Sequence, residues 1–338
     1  MAAIAHPGSA AVPLEIDHRF AQPYKPALIT KGSASLAATV LNYKYEDGGR
    51  YQSYNDGNLL LLDPNATSSE TATTPERLDI LHHIFKVLTG GDLWRAPISG
   101  PNARLPKRVL DLSPSSSGIW AMEAADALPG ATVIAQSSDS TAASPKFKPS
   151  NCTFRTGNDL GTEKFDFIHA RALSSTTNMS FPTLLRHIYD NLNPGGWVEL
   201  QDYAPNTFLS DDDTLRLVPA LVAWQRELAE AGTPMRGIAD EYKRLLSEVG
   251  FVDVQEDRYK APIGTWARGK TNKELGLSLL AHNLDAVEPL TTQVYTRHLG
   301  YSLQQTQRIV DGLKRDLVNS DAHIYVPFVF VYGRKPLR

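Results

Sequence analysis

The stretch that most constrains this chain is Lys107–Ser140, KRVLDLSPSSSGIWAMEAADALPGATVIAQSSDS. Arg108–Asp111 is a mostly apolar run ending in an acid, which reads as a buried strand. Gly118 opens a helix-like run, Ile119–Leu128, and Pro129-Gly130 stops it. Ala131–Ala135 follows as a second strand. A β-loop-α-β unit of about 30 residues is the size that carries a nucleotide-binding loop in doubly wound folds.

The loop itself departs from that job. Glycines let such a loop turn sharply and approach a ligand without a Cβ in the way. Here the turn is Ser113-Pro114-Ser115-Ser116-Ser117-Gly118, with a single glycine, and Pro114 has no N–H to offer. An acid that grips a ribose diol belongs just after the second strand. Ser137 stands there, with Gln136 before it and Asp139 two residues too far on. The scaffold suits a nucleotide enzyme, and the contacts are missing.

The rest of the composition narrows the class. The chain has 338 residues, 42% hydrophobic and 21% charged, enough for one large domain or two smaller ones. Its net charge of -3 implies no nucleic-acid or other polyanion partner. No apolar run is long enough to span a membrane. The first twenty residues lack the basic and apolar regions of a signal peptide. Cys152 is the only cysteine, so no disulfide forms within the chain, which suits a reducing, cytoplasmic setting.

Residues 1–40 mix Pro, Ala, Gly and Ser and read as a flexible arm. Residues 41–105 form a lid with helices: Tyr43, Tyr45, Tyr51 and Tyr54 cluster there, and Pro75 opens a helix that ends at Gly90-Gly91. Cys152–Arg155, Lys164–Ala172 and Trp197–Tyr203 are strands, with a helix over Phe181–Leu192 that Asn193-Pro194-Gly195-Gly196 ends. This order argues a parallel, doubly wound sheet over 106–208 and 250–338. A helical cap at 209–300 overlaps it, with helices expected over Leu215–Ala231, Ala239–Val249 and Asn272–Ala286. A last helix spans Ser302–Asn319, and His323–Tyr332 closes the chain as a strand whose Pro327 favours an edge or a bulge. Asp211-Asp212-Asp213 reads as an acidic helix start rather than a metal motif. No metal site is expected: His82 and His83 lack further ligands at matched spacing.

Several stretches together resemble fungal class I S-adenosylmethionine (SAM) methyltransferases of the LaeA-like type. They include YQSYNDG, ERLDILHHIF, RVLDL with GIWA, FDFIHARAL, LLRHIYDNLNPGGWVELQDY, LLSEVGFVDV, KAPIGTW and HIYVPFVFVYGRKP. The resemblance implies a Rossmann-like α/β fold: a seven-stranded, mostly parallel sheet with an antiparallel last strand, roofed by helices. It also implies SAM lying across the first loop, with an acid on its ribose. The degenerate loop keeps Asp111 and Gly118 of that pattern but lacks two of its glycines, carries Ser113 and Ser115 and is one residue longer, and Ser137 stands in place of the ribose acid. Gly157–Lys164 is shorter than its counterpart, leaving Asp159 and Glu163 as substitutes.

These departures favour an enzyme that uses no cofactor. Methyltransferase-like folds are reused for pericyclic chemistry in fungal natural-product pathways, including the norbornene-forming Diels–Alderase type that this chain resembles. A [4+2] cycloaddition needs the reacting ends held close and a hydrogen-bond donor on an activating carbonyl. His169, Gln201 and Tyr203 are the candidate catalytic residues. Tyr51, Tyr54, Arg171, Asp202, Trp224, Trp266 and His282 are the candidate contacts for a hydrophobic small molecule. The alternatives are SAM-dependent methyl transfer and a non-catalytic regulator of secondary metabolism. The helices after Asn272 offer a surface for a homodimer.

Overall fold

The computed structural model describes residues 12–18, 75–100, 103–112, 118–137, 148–157, 160–173, 180–204, 207–230 and 238–338. The N-terminal arm apart from residues 12–18, Tyr51, Tyr54, the loop serines and Pro114, Asp139 and Asp159 lie outside them. The chain divides into two compact units. A sheet unit comprises Asp92–Tyr203, Ile238–Asp257 and Val329–Arg338; a helical unit comprises Met1–Gly91, Ala204–Gly237 and Arg258–Phe328.

In the sheet unit, β1 (Arg108–Asp111), β2 (Thr132–Ser137), β3 (Cys152–Thr156), β4 (Phe165–Arg171) and β5 (Leu192–Tyr203) pair in parallel in the order 3-2-1-4-5. Two long strands, β7 (Val252–Pro262) and β8 (Ile324–Arg334), begin or end here, and β8 lies against β5. Gly195 N donates to Lys335 O at 2.9 Å and Ala204 N to Pro327 O at 3.2 Å. The partner number falls as the β5 number rises, so β8 runs antiparallel, as the resemblance implied. A two-residue strand, β6 (Leu209–Ser210), adds to β8 in the helical unit. Pro327 was expected at an edge or a bulge, and β8 is not an edge, having partners on both sides. The proline keeps its carbonyl in the ladder and forgoes only its missing N–H.

Helix α2 (Ile119–Ala127) covers β2 and β3, while α3 (Phe181–Asn191) packs on α5 (Tyr242–Val249). Leu110, Ile134, Ile168, Val198, Leu200, Leu185, Ile188, Leu246 and Val331 fill the core beneath α3 and α5. Asn193–Gly196 was expected only to stop α3, yet these residues already belong to β5. Gly196 allows this: a Cβ there would stand 3.0 Å from the Asp166 carbonyl oxygen. β4 shifts register between Phe165 and Phe167 at that place.

The helical unit holds α1 (Pro75–Leu88), α4 (Pro219–Glu230), α6 (Lys270–Arg297) and α7 (Leu303–Leu317). The single helix expected over Leu215–Ala231 is instead a 3-10 turn, Thr214–Leu217, followed by α4. Pro219 cannot continue a preceding helix but fits a first turn. Likewise Ile238–Glu241 is 3-10 before α5. Helix α6 overruns its expected end at Ala286 and passes through Pro289. Val287, Leu290, Val294 and Tyr295 prolong its buried face beyond that proline, and their burial outweighs the lost hydrogen bond. Helix α7 starts at a capping box in which Ser302 and Gln305 satisfy each other's backbone N–H.

Candidate functional site

Parallel register builds a polar row at the carboxyl ends of the central strands. Asp111 stands opposite His169, and His169 opposite Glu199; two residues on, Arg171 stands opposite Gln201. Residues paired in register share a face, and so do residues two apart. All five side chains therefore leave the sheet on one side and are buried.

His169 Nδ1 lies 2.8 Å from Asp111 Oδ1, and the indole of Trp120 stacks on the imidazole at 3.6 Å with the rings 5° from parallel. Trp120 is itself fixed by a 2.9 Å bond from its Nε1 to the Leu93 carbonyl. A carboxylate only accepts, so Nδ1 carries the shared hydrogen. Burial lowers the His169 pKa below its ordinary value of 6.5, against the opposing pull of Asp111. The ring is neutral at pH 7, and its Nε2 is a bare lone pair. That atom is buried without a hydrogen bond of normal geometry, although the Gln201 side chain lies near enough to favour the protonated ring. The donor role expected of His169 is therefore not what this tautomer offers.

Gln201 is fully engaged. Its Nε2 donates to Glu199 Oε1 at 2.7 Å and to Leu93 O at 3.2 Å, while its Oε1 accepts from Arg171 Nε at 3.0 Å and Nη2 at 2.6 Å. Both amide hydrogens and both lone pairs are spent, leaving none for a ligand. Glu199, which sequence reasoning passed over, closes the network by accepting from Arg95 N at 2.8 Å and Ala96 N at 2.7 Å. Burial pushes its pKa up. Burial also draws the Arg171 guanidinium down to about 10, so it remains a cation at neutral pH.

Asp202 alternates to the opposite face. Its Oδ2 accepts from Tyr242 Oη at 2.6 Å and its Oδ1 from Tyr203 N at 2.8 Å, which ties both oxygens to the interior. Burial and the neighbouring carboxylate hold the Tyr242 phenol well above its ordinary range. Tyr203 is buried at the end of β5. In the helical unit, Trp266 Nε1 donates to Ile324 O at 3.1 Å, His282 is buried in α6, and Trp224 is buried in α4 beside Phe208 at 6.2 Å. Among the described residues no group of three or more His, Cys, Asp or Glu is placed to hold a metal ion, and no helix is long and apolar enough to cross a membrane.

The fit to SAM is tested at the ends of β1 and β2. Gly118, the glycine that remains in the first loop, has φ 55°, and a Cβ there would meet Phe154 Cε1 at 2.2 Å. It is needed for helix–strand packing. Asp111, which opens the loop, is bound to His169. At the end of β2, Gln136 Nε2 donates to Gly157 O at 3.0 Å and Ser137 O accepts from Gly157 N at 2.8 Å, so this end is stitched to the residue that follows β3. Glu163 is spent on Arg155 at 2.8 Å and Arg108 at 3.2 Å. Among the described residues no acid is free at the β2 end for a ribose diol.

A family model described as a methyltransferase domain matches residues 81–256, just over half of the chain. The chain belongs to this methyltransferase-domain family. The methyltransferase pytC of Aspergillus terreus is 28% identical over 323 residues, covering 92% of this chain and 94% of that protein. The secondary metabolism regulator LAE1 of Cochliobolus heterostrophus is 33% identical over 274 residues, covering 77% and 87%. Among solved structures, phosphoethanolamine N-methyltransferase 2 of Haemonchus contortus aligns with a TM-score of 0.42 at 15% identity, over 77% of this chain and 52% of that one.

Proposed function

We propose that this member of the methyltransferase family is a small-molecule enzyme of secondary metabolism that works without SAM, promoting a [4+2] cycloaddition on a hydrophobic substrate. One observation carries the reading: the end of β2 presents Ser137 where a ribose acid belongs, and its neighbour Gln136 is tied to Gly157. A hydrogen bond to a charged group contributes about 1.5–3 kcal/mol and a neutral one about 1. Losing the ribose clamp and one or two loop contacts therefore costs roughly 3–5 kcal/mol, or two to four decades in affinity. Cycloaddition asks the protein only to hold reacting ends together and to polarise one of them. The relatives named as a methyltransferase and as a secondary metabolism regulator support a small molecule as the substrate.

Calorimetry with SAM on the purified chain tests this. No heat of binding at millimolar SAM, from a sample that unfolds cooperatively, is the expected result. Saturable micromolar binding would sink the reading. It would promote the second one, SAM-dependent methyl transfer, which the family match and the A. terreus relative favour. In that case SAM would supply the methyl group, and the chain's own task would be to align donor and acceptor.

A further inference from the structure

A cycloaddition activated through a carbonyl needs a hydrogen-bond donor, and two of the three expected donors are disqualified. His169 offers a lone pair, and Gln201 has no hydrogen left to give. The helical unit supplies another. Trp224 lies on the buried stripe of α4 with Leu221 and Leu228, three and four residues to either side, and is 3% exposed. Its ring is tilted 39° against Phe208, whose own backbone N–H is fixed by Gln225 Oε1 at 2.8 Å. The indole Nε1 is buried and has no hydrogen-bond partner. Indole nitrogen only donates, so no change of protonation satisfies it from within. Buried polar groups in folded proteins are nearly always paired, and an exception calls for an explanation, of which a ligand is one. Trp266 shows the usual outcome in the same unit, its Nε1 satisfied by the Ile324 carbonyl.

We propose that the Trp224 indole N–H is the donor that receives the substrate's carbonyl oxygen, and that the substrate is an apolar skeleton bearing a ketone, aldehyde or enone. The aromatic surroundings accept the skeleton, and the unpaired N–H fixes where its one polar atom sits. No proton is transferred: the bond draws electron density onto the oxygen and activates the adjoining alkene. The inference rests on the reading of a hydrophobic substrate and is independent of whether SAM binds.

The test uses the full chain, ¹⁵N-labelled at tryptophan. Its 5 indole resonances are assigned by single Trp→Phe variants. The probe is trans-4-phenyl-3-buten-2-one, and the control is the hydrocarbon trans-1-phenyl-1-butene. The enone should move the Trp224 indole proton downfield in a saturable way, and the hydrocarbon should not. Trp224→Phe should weaken enone binding roughly fivefold, as expected for one neutral hydrogen bond. An unmoved Trp224 resonance, an equal shift with the hydrocarbon, or a cross-peak from this indole proton to a bound water in the free protein would each overturn the assignment. The wild-type shifts decide the matter even if a variant fails to fold. A SAM titration read by calorimetry separates failure of this assignment from failure of the SAM-free reading.

Discussion

Substituting Gly118 by alanine probes the claim that the first loop keeps this glycine for packing. The backbone there has φ 55°, a left-handed conformation that costs an L-residue about 1–2 kcal/mol. The new Cβ would lie 2.2 Å from Phe154 Cε1 and 2.7 Å from Cζ, so the ring must move off the start of α2. Overpacking of this kind costs about 1–3 kcal/mol. Together the two effects predict a loss of about 2–5 kcal/mol, read as a lowered urea midpoint at constant slope. Phe154→Ala removes the overlap and leaves the backbone strain. In that background Gly118→Ala should cost only about 1–2 kcal/mol, leaving a coupling of about 1–3 kcal/mol between the two positions. An alanine variant within about 0.5 kcal/mol of wild type, or an equal loss in both backgrounds, would refute the packing argument.

Two further outcomes follow from the polar contacts. Tyr242→Phe keeps the ring but leaves a buried oxygen of Asp202 short of its donor, and should cost about 1.5–3 kcal/mol in urea unfolding; an unchanged midpoint would mean that Asp202 is held elsewhere. The Asp212 carboxyl is partly buried, which works against its ionisation, but hydrogen bonds from His323, Ser210 and Thr214 hold its pKa well below the ordinary 3.8. A depressed acid contributes stability that is present above its unfolded pKa and is lost as pH falls through the folded value. Stability followed from pH 5 downward should therefore drop less steeply in Asp212→Asn than in wild type, and parallel curves would contradict this.

The sheet was largely legible because its signals are local. RVLD, FDFIHAR and WVELQDY are short apolar runs flanked by turn residues, and all three are strands where expected. The prolines misled in a consistent way. Pro219 was overlooked inside an apolar helical pattern and splits it, whereas α6, expected to end at Ala286, runs on through Pro289, and β8, whose Pro327 was expected at an edge or a bulge, has partners on both sides. The site was legible only as a set of residue types. Asp111, His169, Gln201 and Tyr203 all stand at strand ends, as anticipated. What each can donate or accept depends on the parallel register that pairs Asp111 with His169 across 58 residues, and nothing in the sequence states that register. Glu199 was readable in principle, since an acid inside the run Trp197–Leu200 must find buried donors. Arg95 and Ala96 provide them from a segment that had no signal of its own.

The lone thiol has a practical consequence. Cys152 opens β3, is wholly buried, and burial pushes its pKa up to about 11. A thiol reagent at pH 8 meets neither an accessible sulfur nor a thiolate until β3 leaves β2. Because the chain has 1 cysteine, every labelling event reports that one opening, with no competing signal to subtract. The protein thus carries its own clock for how often this side of the sheet comes apart, and a ligand that holds it together would slow the clock without any probe being introduced.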